Sequence, residues 1–552
     1  MTLWNIQTKL DNSFLENDNT HSLFLKQILY NRGILEDTYL EFLNPSKMGD
    51  PFKFSDMKKV VSRIGSAIKK GEKILVYGDY DVDGITGTTA LFDFLKGKLN
   101  ANVSAFLPSR FTDGYGLNAN RIKKAKDDGY SIIITVDCGI RDVDNIDLAN
   151  KLGMDVIITD HHLMGKKLPN AFAIIHPALG YGYTDLTGCG VAFKLISALA
   201  KGKYDVTQYL DLVALSIICD VVPVTGENRF MLKSGLDIIN SKNRIGLKHL
   251  MDVSSIDQAD VYHLGFVLGP KLNAAGRLYD AFDGLNLLLE EDNTTAHNYA
   301  LKLHVMNMER QKMMKEGVDM ALKQINYSDN FNIVEHDSWG EGIVGLIAGR
   351  LTEETGKPTI ALTCKEGDLY IGSARSIKDF NIVKHLEDIS ELLESFGGHK
   401  YAAGLKIRKK NIEKFRISLE KIAKEEFKNR NFDKTINIDA IINLEDITFD
   451  LYSELLILKP YGVSNPEPLF LIENVKVLSA YNVGNNEKFI KMKFGNRRGS
   501  VLIDAIWFNS IYSPLQIINF SYIDVVANID INSWNDRKIL QLKIVDLKAK
   551  IM

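Results

Sequence analysis

The amino-acid sequence predicts an α/β protein of two lobes joined by a long helix and followed by a C-terminal all-β barrel. Three observations carry this. Between residues 73 and 176 short apolar runs alternate with helical patterns, as in a mainly parallel sheet covered by helices on both faces. A helical stretch at roughly 294–324 then precedes a second alternating segment over about 330–425. From about 432 the helical period disappears, and short alternating strands follow one another with turns between them.

In chain order, residues 1–50 read as a helical arm, in which SLFLKQILYNRGI places apolar residues at helical spacing and Arg32-Gly33 ends the helix. Residues 56–70 form an amphipathic helix leading into the first lobe, assigned to 51–290. Its strand candidates are KILVY (73–77), NVSAFL (102–107), SIIITV (131–136), MDVIIT (154–159) and AFAIIH (171–176), with helices such as 85–99 and 121–129 between them. A connecting helix takes 291–329, a second lobe 330–430 and the barrel 431–552.

The chemistry concentrates where strands end. After Ile74–Tyr77, Gly78 breaks the strand, and Asp79, Asp81 and Asp83 alternate before Gly84. Three carboxylates within five residues repel one another, and a divalent cation offsets that charge best. A calcium-binding EF-hand loop opens the same way, but its twelfth place, where a bidentate Glu is required, is Ala90, and a strand precedes the loop instead of a helix. Asp137 follows the third strand, and Asp160, His161 and His162 follow the fourth. Any one of these is ordinarily a cap or turn residue. Three strand ends delivering carboxylates and imidazoles to one rim are a metal centre, because ligands bind at the carboxyl ends of such strands. In LDLVALSIICDVVPVTGENR (210–229) a buried helix ends near Asp220, a further candidate ligand.

Other stretches suit an anion. GPKLNAAGR offers Lys271, Asn273 and Arg277 among small residues, and GSARS (372–376) offers hydroxyls and an Arg fork. In SFGGHKYAAGL, Gly397, Gly398 and Gly404 flank His399 and permit backbone approach to a ligand, or else a tight helix–strand junction. In the barrel, Lys488, Lys491, Lys493, Arg497 and Arg498 interleave with Phe489, Phe494 and Trp507, which suits neutralisation and base stacking of a single strand or, equally, a solvated barrel face.

The bulk properties narrow the class. At 552 residues the chain holds several domains, and a net charge of −3 predicts no general affinity for nucleic acid outside local patches. Cys138, Cys189, Cys219 and Cys364 lie far apart without a CxxC pair, and the N-terminus lacks the order of a signal peptide, so a cytoplasmic protein is expected. Neither a Walker A loop, a GxGxxG fingerprint nor a G-x-S-x-G elbow occurs. Several Asp with one or two His favour manganese or magnesium, and two such ions about 4 Å apart hydrolyse phosphoesters by activating water and offsetting phosphoryl charge.

GDYDVDGIT, VDCGI, ITDHH and CDVVP resemble the successive motifs of the DHH phosphoesterase superfamily, and GSARS and FGGHKYAAG resemble its DHH-associated lobe. With RFTDGYGL (110–117), GPKLNAAGR, MNMERQ and KPYGVSNPEPLF (459–470), the likeness extends over some 500 residues to its single-strand-specific exonucleases, with an OB-like barrel at the end. The resemblance implies a 5′→3′ exodeoxyribonuclease of DNA repair and recombination, releasing mononucleotides from single-stranded DNA with two Mn2+ or Mg2+ ions. It implies Asp81, Asp83, Asp137, His161 and Asp220 as metal ligands, with Asp137 bridging. His162 would lie over the scissile phosphate or complete the shell, His399 would approach from the second lobe, and Asp79 would be a ligand or hold the turn. Arg110, Asn273, Arg277, Ser373, Arg375, Gly397 and Gly398 would handle substrate, Ser373 and Arg375 favouring a terminal 5′ phosphate. Expected partners are a RecQ-type helicase and a single-strand-binding protein, with the enzyme itself monomeric. Two departures stand out: Tyr77 where some relatives have His, which deprives one metal of an imidazole, and Gly340 where His is frequent. The alternatives are a family phosphodiesterase acting on short oligonucleotides or cyclic dinucleotides, which needs no barrel, and a non-catalytic DNA-binding relative, which would have lost the acidic motifs.

Overall fold

A computed structural model of the chain describes every residue except 1, 9, 11–13, 15–17, 19, 35, 379, 429–434, 485–488, 509, 521, 535–536 and 550–552. It divides into two compact units, one of Met1–Met48, Pro223–Phe230 and Asp433–Met552, the other of Gly49–Val222 and Met231–Phe432. Among the described residues no helix is long and apolar enough to cross a membrane. The chain opens with strand β1 (Leu3–Ile6) and helices Leu23–Asn31 and Tyr39–Leu43, so the segment read as a helical arm also carries a strand.

The larger unit begins with a five-stranded sheet of β2 (Lys73–Tyr77), β3 (Val103–Phe106), β4 (Tyr130–Val136), β5 (Asp155–Thr159) and β6 (Ala173–Ile175), in the order β3-β2-β4-β5-β6. Every pairing is parallel. Ile132, Ile133, Ile134 and Val136 are wholly buried, the continuous apolar run of a strand covered on both faces. Register sets Tyr77 against Thr135 and Val136 against Thr159, so β2, β4 and β5 finish at nearly one level. The chain moves from β2 to one side, to β3, and then to the other side, to β4. Such a reversal opens a crevice between the carboxyl ends of β2 and β4, and this is where Asp79–Asp83 and Asp137 emerge. The helix expected over 85–99 starts earlier, at Val82, and runs α-helically to Asp93 before a wider π-helical turn, Phe94–Lys98. Asp81 starts it by accepting hydrogen bonds from the Asp83 and Gly84 amides (3.0 and 3.2 Å).

The 30-residue helix Asn293–Leu322 leads to the second lobe. Its sheet, β7 (Asn332–Glu335), β8 (Thr359–Glu366), β9 (Leu369–Arg375), β10 (Leu393–His399) and β11 (Ala402–Arg408), runs β10-β11-β9-β8-β7. Only β7 and β8 are parallel. Ser373 and Arg375 sit at the end of β9, and the glycine-rich stretch is the β10–β11 hairpin, not a helix–strand junction. Gly397 pairs with Gly404 across it, and a Cβ at either would meet no atom within 4 Å. Those glycines leave an open face.

In the smaller unit β12 (Thr435–Ile438) pairs in parallel with β1, and β13 (Ala440–Ile442) pairs in parallel with β14 (Phe470–Val483). Strands β14, β15 (Phe489–Gly495), β16 (Leu502–Trp507), β18 (Arg537–Ala549) and β17 (Tyr522–Trp534) then form a barrel, closed because β17 pairs back onto β14. Leu25, Ile28, Leu29 and Phe42 of the opening helices share the barrel's apolar cluster with Phe470, Phe494 and Val525. Two of the aromatics read as base platforms are therefore core residues: Phe494 and Trp507 are 0% and 3% exposed. Alternation along β15 and β16 turns them inward while Lys491 and Lys493 point outward, each within 4 Å of Asp504. Phe489 is half-buried, edge-on to Phe508 at 5.1 Å, and Lys488 lies outside the described residues.

Among the described residues Arg229 is the largest wholly buried side chain, packed over the Phe42 ring at 4.4 Å. Its guanidinium donates to the carbonyls of Phe42, Pro460, Ile457 and Lys459 at 2.6–3.2 Å, tying three separated segments of the smaller unit. Arg229→Ala strands those acceptors, and we expect a loss of about 3 kcal/mol or more in urea unfolding. A retained unfolding midpoint would contradict this.

Candidate metal centre

The crevice gathers every acid and imidazole that the sequence singled out as a ligand. Among the described residues three overlapping groups have ligand atoms within 4.8 Å of one another: Asp79, Asp81 and Asp137; Asp83, His161 and Asp220; and Asp137, His161 and His162. Asp137 is common to two of them. His161 Nε2 lies 3.1 Å from Asp137 Oδ1, 3.5 Å from Asp83 Oδ2 and 3.6 Å from Asp220 Oδ2. Asp79, Asp83 and Asp137 are at most 3% exposed.

Each of these side chains is aimed by its backbone. Asp137 adopts φ +63°, a left-handed conformation uncommon outside glycine, directly after β4. Asp83 is held by the amides of Gly188 and Cys189 (2.7 Å each), at the start of helix Gly188–Ala200, and by the Ser216 hydroxyl at 2.6 Å. That helix terminus carries partial positive charge toward the carboxylate. Gly188 is obligatory, since its Cβ would stand 2.5 Å from that of Asp137. Asp220 caps helix Leu210–Cys219, whose apolar length buries against its neighbours.

Asp160, at the end of β5, does not join the ligand groups but orients the imidazoles. Its Oδ1 accepts from the His161 and His162 amides (2.7 and 3.1 Å) and lies 2.9 Å from His162 Nδ1, while Oδ2 accepts from the Ile140 amide. Burial opposes its ionisation, yet the His162 hydrogen bond and charge, with these amides, bring its carboxyl down to about 2. Burial likewise disfavours charge on His162, but Asp160 pushes it up to about 9. The rest of the centre shifts the other way. Burial, then the neighbouring carboxylates, raises Asp79, Asp81 and Asp137 above the usual range and Asp220 to about 9. Burial lowers His161.

The decisive detail is what these atoms lack. Asp79 Oδ1, Asp137 Oδ1 and His161 Nε2 are buried without any hydrogen-bond partner. Unpaired acceptors in a protein interior are expensive, and a hard or borderline divalent cation satisfies all three. The donor set fits such an ion. Asp79 lies within reach of Asp81 and Asp137 as well as in the turn.

A second cluster lies beside the first. Arg277 is drawn down to about 10 by burial and then by Arg110, Arg310 and Arg375, with Asp81 opposing. The Arg110 guanidinium stacks on Tyr80 at 4.2 Å, and its Nε is buried unpaired. Arg375 donates to Ser373 Oγ at 2.9 Å, and Arg310 to Asn307 Oδ1 at 3.0–3.1 Å. Asn273 spends its carbonyl oxygen on the Val82 amide at 3.2 Å, steadying the acidic turn. The small residues around it serve packing: Gly276 abuts the Tyr80 carbonyl, and Gly342 abuts that of Arg277. Lys271 donates to the Val267 carbonyl. Burial, then the charges of Arg141 and His162, lowers His399.

Tyr77 faces away from the centre. Its hydroxyl donates to the Gly116 carbonyl at 3.1 Å, and its ring packs with Leu75, Leu117, Ile133 and Cys138. Gly340 starts helix Glu341–Thr355 without a side-chain cap. Four contributors escaped the ligand reading. Ser216 lies one helical turn before Asp220; Tyr115, in DGYGL, puts its hydroxyl 3.2 Å from His162 Nδ1; Arg310 and Asn307 lie in MNMERQ. The i, i+4 spacing was the only signal for Ser216.

Residues 73–217 match the DHH family, N-terminal domain, residues 324–425 the DHHA1 domain and residues 438–546 the RecJ OB domain. The single-stranded-DNA-specific exonuclease RecJ of Salmonella typhimurium is 33% identical over 523 residues, covering 89% of this chain and 90% of that protein. The chain belongs to the RecJ family. The Bacillus subtilis RecJ is 38% identical over 506 residues, and the match takes in 90% of this chain but 64% of that longer protein. The crystal structure of Thermus thermophilus RecJ in complex with Mn2+ superposes with a TM-score of 0.87 at 26% identity, covering all of this chain and 80% of its own. The Mg2+ complex of the same RecJ gives 0.81.

Metal and protons compete here. Without metal, the raised carboxyls hold protons that the unfolded chain releases near pH 4, so the native state binds more protons than the unfolded one and stability falls as pH rises from about 4 through about 9. Chelated protein should therefore unfold at a lower temperature at about pH 9 than at about pH 5, and Mn2+ should raise the alkaline midpoint most. Ser216→Ala should weaken metal binding roughly tenfold by calorimetry while leaving the fold intact.

Proposed function

We propose that this chain hydrolyses single-stranded DNA from its 5′ end, one nucleotide at a time, with two divalent cations held around Asp137. The observation that carries the reading is the convergence of three buried ligand atoms that make no hydrogen bond, two of them (His161 Nε2 and Asp137 Oδ1) facing each other at 3.1 Å, with a guanidinium cluster next to Asp81. Family membership supports the exonuclease class and the single-stranded substrate. Asp79, Asp81 and Asp137 are suited to hold one ion, and Asp83, His161 and Asp220 the other. Bound there, such ions supply Lewis-acid stabilisation of phosphoryl charge and an activated water at neutral pH.

The chain's own groups account for polarity. Arg110, Arg310 and Arg375 add like charge around Arg277, with Asp81 the carboxylate that opposes them, and with Ser373 they are suited to anchor a phosphate. A terminal 5′ phosphate held there sets the next phosphodiester over the acidic cluster. Water adds to phosphorus, the P–O3′ bond breaks, and the departing 3′ oxygen takes a proton. That bond choice leaves a new 5′ phosphate on the shortened strand, so the anchor can act again. Asp160 engages His162 Nδ1 and, against burial, pushes the imidazole up to about 9, so that a protonated His162 would give the proton on Nε2, an atom 3.4 Å from the Tyr115 hydroxyl, to the leaving oxygen. Tyr115 and Asp160 keep its ring oriented. Tyr481, half exposed on β14 opposite Lys491, supports strand binding by the barrel.

With Mn2+, a 5′-labelled strand should release its label as mononucleotide at once, and a 3′-labelled strand should shorten progressively. Release of label only from the 3′ end would reverse the polarity. Asp137→Ala should lower kcat roughly a thousandfold with the fold retained. Arg277→Ala should raise KM about tenfold for a 5′-phosphorylated strand and distinctly less for a 5′-hydroxyl one.

A further inference from the structure

Tyr262 and Phe266 are 60% and 70% exposed, yet they are large aromatics stacked on one another, with ring centroids 5.2 Å apart and planes 26° from parallel. Aromatic surface of this size is normally buried or reserved for a ligand. The pair sits where a short helix, Val261–His263, passes through a π-helical turn, Leu264–Leu268, into helix Gly269–Leu278. Such widened turns recur at functional sites because they re-aim side chains.

The position relative to the metal centre is fixed by close packing. A Cβ on Gly265 would stand 3.1 Å from Ile218 Cγ2, a Cβ on Gly269 would overlap the Cys219 sulfur, and Cys219 Sγ reaches the Leu264 carbonyl at 3.7 Å. The π-helical turn thus lies against the last residues before Asp220. Next to Asp220, Val221 is 66% exposed at φ +59°, an outlier for a β-branched residue. At its other end the same helix abuts the Tyr80 carbonyl through Gly276 and carries Arg277 into the guanidinium cluster. From Phe266 to Arg277 is roughly 16 Å at the helical rise. One continuous helical stretch therefore presents the phosphate anchor at one end and the exposed aromatic pair at the other, with the metal-binding acids flanking the span.

We infer that Tyr262 and Phe266 form a base-stacking platform for the nucleotides that follow the scissile phosphate. This rests on the exonuclease reading and deepens it. A strand fixed by its terminal phosphate at Arg277 and passing the acids leaves on the Asp220 side, where the aromatic faces meet it. Stacking tolerates every base, as a non-sequence-specific nuclease requires. The platform also gives the enzyme a reason to favour strands over dinucleotides, which end before reaching it.

The test compares the wild-type protein with Phe266→Ala, Tyr262→Ala and the conservative Phe266→Trp, each Mn2+-loaded and checked by thermal unfolding. The substrates are a long 5′-phosphorylated strand, the same strand with abasic sites just past the scissile bond, and a 5′-phosphorylated dinucleotide. On the long strand the Ala variants should raise KM roughly tenfold, with the loss in KM and not in kcat. Phe266→Trp should recover most of it. The abasic strand should cost the wild type about as much and the Ala variants little more, since the two changes remove one interaction. The dinucleotide should distinguish the proteins least. Ala variants that match the wild type on the long strand would overturn the platform and leave the exposed pair to a protein partner. A wild type that does not cut the strand would overturn the exonuclease reading, and the platform with it.

Discussion

Charge repulsion in a dry crevice governs the construction of the larger unit. Asp79, Asp83 and Asp137 are almost fully buried within reach of Asp81 and Asp220, an arrangement that expels itself unless counter-charge is supplied. The protein meets part of the demand with its backbone: two amides at one helix start, two at another, and the Ser216 hydroxyl. It leaves Asp79 Oδ1, Asp137 Oδ1 and His161 Nε2 unsatisfied. What remains is a crowd of carboxyls whose ionisation is opposed by burial and mutual repulsion, an arrangement that a small divalent cation would complete.

That cavity explains several local choices that have no other purpose. Gly188 is small because Asp137 presses against it, Gly84 because it lies on the Asp79 backbone, and Gly276 because the next helix closes over Tyr80. Asp160 is spent wholly on orientation. Its hydrogen bond and charge favour the protonated form of His162. The guanidinium cluster follows the same logic with opposite sign: Arg277 and Arg375 are half-buried beside other arginines, a state tolerated when an anion completes it.

The smaller unit illustrates how composition misleads when alternation is ignored. Basic and aromatic residues do interleave in β15 and β16, but strand geometry sends Phe494 and Trp507 into the core and leaves the lysines outside. Exposed aromatics beside those lysines are Tyr481, one strand away, and Phe508, edge-on to the half-buried Phe489. The β13–β14 and β1–β12 pairings, both parallel, bring the start of the chain against the barrel and explain why Leu25, Ile28 and Leu29 are buried.

By itself the sequence determined the succession of two α/β lobes and a barrel, since periodicity reports burial directly. It also singled out the acids and imidazoles that the crevice gathers, since carboxylates placed after parallel strands have one place to go. The helix start at Val82, the hairpin around His399 and the burial of Trp507 were decided by tertiary structure: capping by Asp81, cross-strand pairing and barrel closure are long-range or geometric events with weak local signals. Roles in the site divided along the same line. Asp137 was legible because it ends a strand. Ser216, whose hydroxyl reaches Asp83, and Tyr77, whose hydroxyl reaches the Gly116 carbonyl, were not, because those partners are distant in the chain and only folding brings them together.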